Sequence, residues 1–211
     1  MKRLGIFGTS GMAREAGDIA YEMGYSPIYI ARDQIELNAL HLNAEAILEA
    51  NVLRYRDIPF IIGIGENLIR HRLAQCYEGK INFFNLIHPS ATFGREQRSE
   101  IEGRQGVIVC AGVRFTNNIK VGNFCIFNQN VTIAHDVIVD DFVHIAPGSI
   151  ISGNVHIGLR SWIGAGAVIN QGENNRKLHI GTDTIIGSGA VVVKPCEANA
   201  VYAGVPAKRI K

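Results

Sequence analysis

The stretch VTIAHDVIVDDFVHIAPG, Val131 to Gly148, sets two histidines, His135 and His144, in a run of otherwise apolar, small or acidic residues. Counting by six through it, a large apolar residue stands at Val109, Phe115, Val121, Phe127, Ile133, Val139, Ile145, Ile151, Ile157, Ile163 and Ile169. With roughly half of positions apolar, eleven successive hits arise by chance about once in several thousand registers, so the spacing is a structural repeat. Two residues before each stands a smaller, mostly apolar one, among them Val107, Cys125, Val131, Val143 and Ser149. Two inward side chains flanking one outward side chain is the alternation of a short strand, so each hexad supplies one strand and one turn. Glycine or a polar residue follows many of the large positions, as at Gly122, Asn128, Gly158 and Gly164, and predicts the turn there. Stacked hexads of this kind form a parallel β-helix. The register breaks at QGENNRK, read as an external loop over residues 170–177, and resumes at Ile180, Ile186 and Val192.

The repeat bears on the two histidines. His144 lies between inward Val143 and Ile145, so alternation points it outward. His135 follows inward Ile133 by two residues, at a turn, and also faces away from the core. Each is therefore a surface or a site histidine. Asp136 is adjacent to His135 and able to accept a hydrogen bond from one ring nitrogen, raising basicity at the other. His156, outward but out of line with both, reads as a surface or interface residue, and His88, before a proline, as structural.

The first 85 residues have another pattern. Arg3 to Phe7 reads as a strand, GTSG as a turn, Met12 to Met23 as an amphipathic helix and Pro27 to Ala31 as a second strand. Glycine-lined turns before helix N-termini bind phosphate through converging N–H groups, although Gly8-x-x-Gly11 falls short of a full dinucleotide fingerprint. Asp33 follows the second strand, where an acidic residue meets a ribose or base. A further strand, Pro59 to Ile64, leads through GEN into the helix LIRHRLAQCYE.

Composition excludes some classes. Lys and Arg number 21 against 19 Asp and Glu, for a net charge of +2, with no basic run beyond Lys208, Arg209 and Lys211, which argues against a nucleic-acid binder. Cys76, Cys110, Cys125 and Cys196 form no CxxC pair, so neither a structural zinc site nor a disulfide scaffold is expected. No apolar run has membrane-spanning length, and a cytoplasmic location is expected.

The Ile-Gly-x-x-x-x hexads resemble those of left-handed β-helix acyltransferases, in which three hexads make a triangular coil and three chains associate. IAHDVIVDDFVHIAPGSIISGNVHIG further resembles the catalytic region of the bacterial acetyltransferases that act on UDP- or dTDP-linked 4-amino sugars, a group that includes sialic-acid O-acetyltransferase-like proteins. The resemblance implies an N-terminal Rossmann-like α/β domain (residues 1–85) that binds the nucleotide sugar, and a β-helix acyltransferase domain (86–211) ending in a tail. It implies acetyl-CoA as cosubstrate, no metal, and a homotrimer with active sites between subunits. By position it makes His135 the general base and Asp136 its acid partner, with His144 a donor to the thioester or pantetheine. The coil of three hexads, eighteen residues, places Gly153 directly above His135, where a glycine leaves room for a ligand beside the imidazole, and Gly153, Ala165, Ser188, Lys208 and Arg209 become coenzyme-A contacts. A similar strand-G-x-N-x-x-x-R segment makes Ser10, Gly11, Met12, Asp33 and Gly65 acceptor contacts, with Asn67 and Arg70 further candidates; Met12 stands where the family often has histidine. Three other readings stay open: O-acetylation of a sugar, a metalloenzyme like the γ-class carbonic anhydrases, which use the same scaffold, and a noncatalytic nucleotide-sugar binder.

Overall fold

The computed structural model describes residues 1–40, 44–173 and 175–211. Its first part alternates strand and helix: β1 (Lys2–Phe7), α1 (Gly11–Glu22), β2 (Tyr25–Ala31), α2 (Gln34–Asn38), β3 (Glu45–Leu48), β4 (Pro59–Ile62), α3 (Asn67–Tyr77) and β5 (Asn82–Phe83). The strands form one parallel sheet in the order β3-β2-β1-β4-β5, a Rossmann-like half. Leu4, Ile6, Phe7, Ile28, Ile30 and Ile62 are buried, as parallel strands covered on both faces require. Ala13, Ala16 and Ile19 of α1 share an apolar cluster with Leu86 and Ile87, so the core runs unbroken into the second part.

There the hexads stack as a left-handed parallel β-helix. All eleven large repeat positions are buried, from Val109 to Ile169, and so are Ile180, Ile186 and Val192 beyond the register break. Pairings such as Ile126 with His144 and His144 with Trp162 advance eighteen residues per coil. Three faces result. The first carries His144–Ile145, the second Thr132–Ile133 and the third Ile138–Val139. Ser149 and Ser161, polar at inward positions, send their hydroxyls to the carbonyls of Ala146, Gly164 and Gly181 at 2.7–2.9 Å.

One expectation changes. The left-handed turn residue falls three positions after the large apolar one, at Asn118, Phe124, Asn130, Asp136, Phe142, Gly148, Asn154 and Arg160. The glycine directly after the apolar residue serves close packing instead: a Cβ on Gly164 would lie 2.5 Å from the Ser188 nitrogen of the next coil, and one on Gly122 2.4 Å from that of Asp141. The segment NLIHPSATFG supplies strands Leu86–Ile87 and Thr92–Phe93 of the first coil. On the third face of that coil, helix α4 (Gln97–Glu102) takes the place of a strand, and Gln97 exchanges two hydrogen bonds, 2.7 and 2.9 Å, with the backbone of Ile119. That amide caps the open edge of the ladder beneath Lys120–Val121.

The domains join at the edge between the third and first faces. Phe124 and Phe142 stand there with φ of 55° and 59°, unusual for bulky residues. Such backbone costs roughly 1–2 kcal/mol, which burial of a phenyl ring, about 1.5–3 kcal/mol, offsets. The rings stack at 5.1 Å and meet Phe83 and His71 of the first domain at 4.9 and 4.5 Å. Below them lies Arg70 of α3, fully buried. Its guanidinium donates to the carbonyls of Phe124 (2.7 Å), Phe142 (2.7 Å), Ile64 and Gly65 (3.0 Å each) and to Asn67 Oδ1 (2.8 Å). Asn67 in turn donates to the carbonyls of Arg160 and Ser161. Both residues therefore clamp the domains together rather than facing an acceptor, a role that contacts 54 to 94 positions apart conceal in the chain.

Candidate active site

His135 sits on the edge between the second and third faces, with its side chain half exposed. Asp136 takes the left-handed turn conformation, φ 62°, and this swings its carboxylate back beside the preceding imidazole. Nδ1 of His135 lies 2.7 Å from Asp136 Oδ2, while Asp136 Oδ1 accepts from Asn118 Nδ2 at 2.5 Å, one coil below. These two hydrogen bonds hold the Asp136 carboxyl below the ordinary carboxylate range. An ionised carboxylate only accepts, so Nδ1 carries the ring hydrogen and Nε2 presents a lone pair. The imidazole lies over Gly153: a Cβ there would come within 2.5–2.6 Å of Cε1 and Nε2. The space left by that glycine is thus filled by the imidazole itself. His135, Asp136, Asn154, Gln171, Gly172 and Lys177 line a cavity of about 390 Å³.

His144 departs from expectation. It points outward from its coil but is 4% exposed, because the Gly65 loop of the first domain covers it. Nδ1 meets the Gly65 carbonyl at 2.9 Å and the ring packs on Trp162 at 4.1 Å. A carbonyl only accepts, so the hydrogen is on Nδ1, and Nε2 faces Asn128 Nδ2 at 3.4 Å as an acceptor. The neutral ring has no N–H left for a thioester. Burial, reinforced by the Arg70 charge and opposed by the Gly65 hydrogen bond, pushes its pKa from 6.5 down to about 4. Between those values the unfolded chain binds a proton that the folded one refuses, so stability falls as pH drops from about 6.5 to 4. The shift corresponds to about 3 kcal/mol. Urea unfolding of wild type against His144→Gln across that range should show the larger loss in wild type, since the lowered pKa of His179 is common to both.

The expected coenzyme-A contacts divide. Gly153 shares the edge of His135, whereas Ala165 and Ser188, both exposed, precede Gly166 and Gly189 on the edge between the first and second faces. One chain does not bring these sets together. Lys208 and Arg209 form a strand antiparallel to Val201–Ala203, so the terminal segment is not a free tail. Arg209 pairs with Glu197, and Lys208 is exposed.

In the first domain, Ser10 N-caps α1 without a side-chain hydrogen bond and Gly11 is exposed, leaving the helix N-terminus open. Met12 packs against the core. Asp33 caps α2, accepting from the Glu36 nitrogen at 2.9 Å and from Arg32 Nε at 3.0 Å. Gly65 contributes its carbonyl to Arg70 and His144. Sequence reasoning passed over Glu36, whose carboxylate accepts from Thr9 Oγ1 at 2.6 Å and from the Arg32 nitrogen at 2.9 Å. It ties the glycine turn to the loop after β2, and an acidic residue three positions past the cap Asp33 is the local signal that marked it.

Other candidates fall outside the site. Cys125 is buried, and burial pushes its thiol up to about 12, so it is no nucleophile. His156 Nε2 meets Asp140 at 3.0 Å, and His88 Nδ1 meets the Ser90 hydroxyl at 2.8 Å. Among the described residues, no group of three or more His, Cys, Asp or Glu is placed to hold a metal ion. No helix of the described residues is long and apolar enough to cross a membrane.

Residues 3–77 match the family model described as the PglD N-terminal domain. The acetyltransferase domain of PglB from Neisseria gonorrhoeae FA1090 is similar over 100% of both chains, with 26% identity and a TM-score of 0.85. That protein is also known in complex with acetyl coenzyme A. WeeI from Acinetobacter baumannii AYE matches equally, with 26% identity over 100% of both chains and a TM-score of 0.85. PerB from Caulobacter crescentus, solved with CoA and GDP-perosamine, shares the fold at 24% identity and a TM-score of 0.84, over 100% of this chain and 98% of its own. No curated protein matches the chain.

Proposed function

We propose that this chain, built along its whole length like the hexapeptide-repeat nucleotide-sugar acetyltransferases, transfers acetyl from acetyl-CoA to the 4-amino group of a nucleotide-linked 4-amino-4,6-dideoxy sugar. It is an acyltransferase with acetyl-CoA as cosubstrate, acting in the cytoplasm in bacterial glycan biosynthesis. The observation that carries the reading is the His135–Asp136 pair, half exposed and seated over Gly153 on a β-helix edge.

The amine attacks the thioester carbonyl and gives its proton to His135 Nε2. Asp136, held ionised, stabilises the imidazolium. A C–N bond forms, the C–S bond breaks, and the proton passes from the imidazolium to the departing coenzyme-A thiolate. The backbone N–H of Gly153 faces the oxyanion, which preorganised donors stabilise. Gly153 reaches coenzyme A from one subunit and Ala165 and Ser188 from the next. Their separation onto two edges of one chain supports a homotrimer with sites between subunits. Lys208 lies near the coenzyme-A phosphates. Ser10 and Gly11 receive the nucleotide at the open N-terminus of α1.

Release of free thiol from acetyl-CoA, followed against a panel of UDP-, dTDP- and GDP-linked 4-amino sugars, tests the reading. Turnover with one nucleotide is expected. Should none be acetylated, the N-acetyltransferase assignment falls and sugar hydroxyls become the acceptors to examine.

A further inference from the structure

The loop that breaks the repeat returns to the catalytic edge. From Val109 to Ile169 each coil advances eighteen residues, but Ile157 is followed at the same place in the next coil by Ile180, an insertion of five. The insertion falls on the edge that carries His135. That edge stacks three residues of one kind, Asn118, Asp136 and Asn154, all with left-handed backbone, φ 53°, 62° and 56°. Where the fourth would stand, the chain leaves at Gly172, whose nitrogen bonds the Gly153 carbonyl at 3.1 Å. It returns at Leu178, whose nitrogen bonds the Asn154 carbonyl at 3.1 Å. A Cβ on Gly172 would lie 2.2 Å from the Asn154 carbonyl oxygen, so only glycine lets the strands of the loop close this tightly. Asn174 lies outside the described residues.

Lys177 stands at the returning end and is half-buried. Its ammonium passes Asn154 and reaches one coil further down, donating to the Asp136 carbonyl at 2.5 Å and to Asn154 Oδ1 at 3.0 Å. Asn154 is fixed in turn, donating to the Glu173 carbonyl at 2.5 Å. Asp136 is thus gripped from both sides: its carboxylate by Asn118 and its N–H by the Asn117 carbonyl from below, its carbonyl by Lys177 from above.

We propose that Lys177 is a positioning residue for acetyl transfer, holding the left-handed turn at Asp136 so that the carboxylate stays aligned on His135 Nδ1. The inference rests on the reading of His135 as base. Lys177 is then part of the site, a strap from the returning end of the insertion to the turn beside His135. Without the strap, the turn at Asp136 relaxes, the carboxylate drifts from Nδ1, and the tautomer that presents Nε2 to the acceptor loses its support. Misplacement of a catalytic group by about 1 Å costs as much as 10²-fold in rate.

The test pairs kinetics with a direct view of the imidazole. Lys177→Met removes the donors while keeping much of the stem. Asn154→Gly removes the anchor of Lys177 at a position whose positive φ glycine accepts, and serves if the first variant folds poorly. Arg176→Ala, in the same loop, is the control. The expected result is a fall in kcat of about tenfold or more in both variants, with KM for acetyl-CoA and sugar nucleotide within twofold, and none in the control. In ¹⁵N spectra of labelled imidazole, His135 should be the Nδ1–H tautomer in wild type and a tautomer mixture in Lys177→Met. Unchanged kcat, or a lower kcat with an unchanged His135 tautomer, would overturn the proposal. If wild type transfers no acetyl group but its His135 tautomer still depends on Lys177, the enzymatic reading fails while the positioning stands.

Discussion

Replacing His135 by alanine should lower acetyl transfer by about 10²- to 10⁴-fold, the usual worth of a general base, while the protein stays folded. The first half follows from the geometry around Nε2. Asp136 fixes the hydrogen on Nδ1, which leaves the lone pair on Nε2, and the ring lies over Gly153 in the wall of the cavity. Alanine removes that lone pair and leaves the amine to lose its proton to water. The second half follows from exposure. The side chain is half in solvent, Asp136 keeps its bond to Asn118, and the inward residues of the coil, Ile133 and Val137, are untouched. A surface change of this kind shifts stability by about 0.5 kcal/mol or less. Thiol release from acetyl-CoA and a thermal melt, made on the same preparations, check both halves. A variant that keeps wild-type turnover would remove His135 from the reaction.

Replacing Arg70 by methionine should have the opposite profile: a large loss of stability, at a residue that touches no substrate. The guanidinium is fully buried and its bonds reach four carbonyls, two of them, Phe124 and Phe142, across the domain boundary. Burial pulls its pKa down to about 10, which still leaves it charged at neutral pH. Methionine fills much of the volume but donates nothing. Each buried carbonyl left without a donor costs about 1–3 kcal/mol, so the loss should be at least about 3 kcal/mol. For a chain of this size that corresponds to roughly 6–12 °C in Tm. Arg70→Lys should recover little of it, because one ammonium cannot span the planar fork that reaches Phe124 on one side and Phe142 on the other. Thermal unfolding of the three proteins decides the matter; a melt within about 2 °C of wild type for Arg70→Met would show that the clamp is dispensable.

The β-helix was legible because its signal is local. An inward side chain must recur each time the strand returns to a face, and a period of six over fourteen buried positions, Val109 to Ile169 and then Ile180, Ile186 and Val192, is visible without any knowledge of contacts. The coil length that the family resemblance implied placed Gly153 above His135, as the structure has it. The hexad pattern misassigned the turn by two residues, because glycine is expected where backbone turns, whereas here asparagine, aspartate and even phenylalanine accept the left-handed conformation and glycine marks close approach.

What the chain determines by itself is therefore the repeat, the strand-helix alternation of the first domain, and the outward sense of the histidines. What only the tertiary structure decided is which outward residues meet solvent. His144 and His135 have equal standing in the pattern, yet one is sealed beneath Gly65 and the other stands half open. Asn67 and Arg70 look like a binding motif but lock the domains, and Lys177 looks like loop charge but reaches 41 positions back to Asp136. The reason is physical. Alternation along a strand is set by neighbouring dihedral angles, whereas burial and hydrogen-bond partners depend on which distant segment packs on a face. Periodicity carries no trace of that.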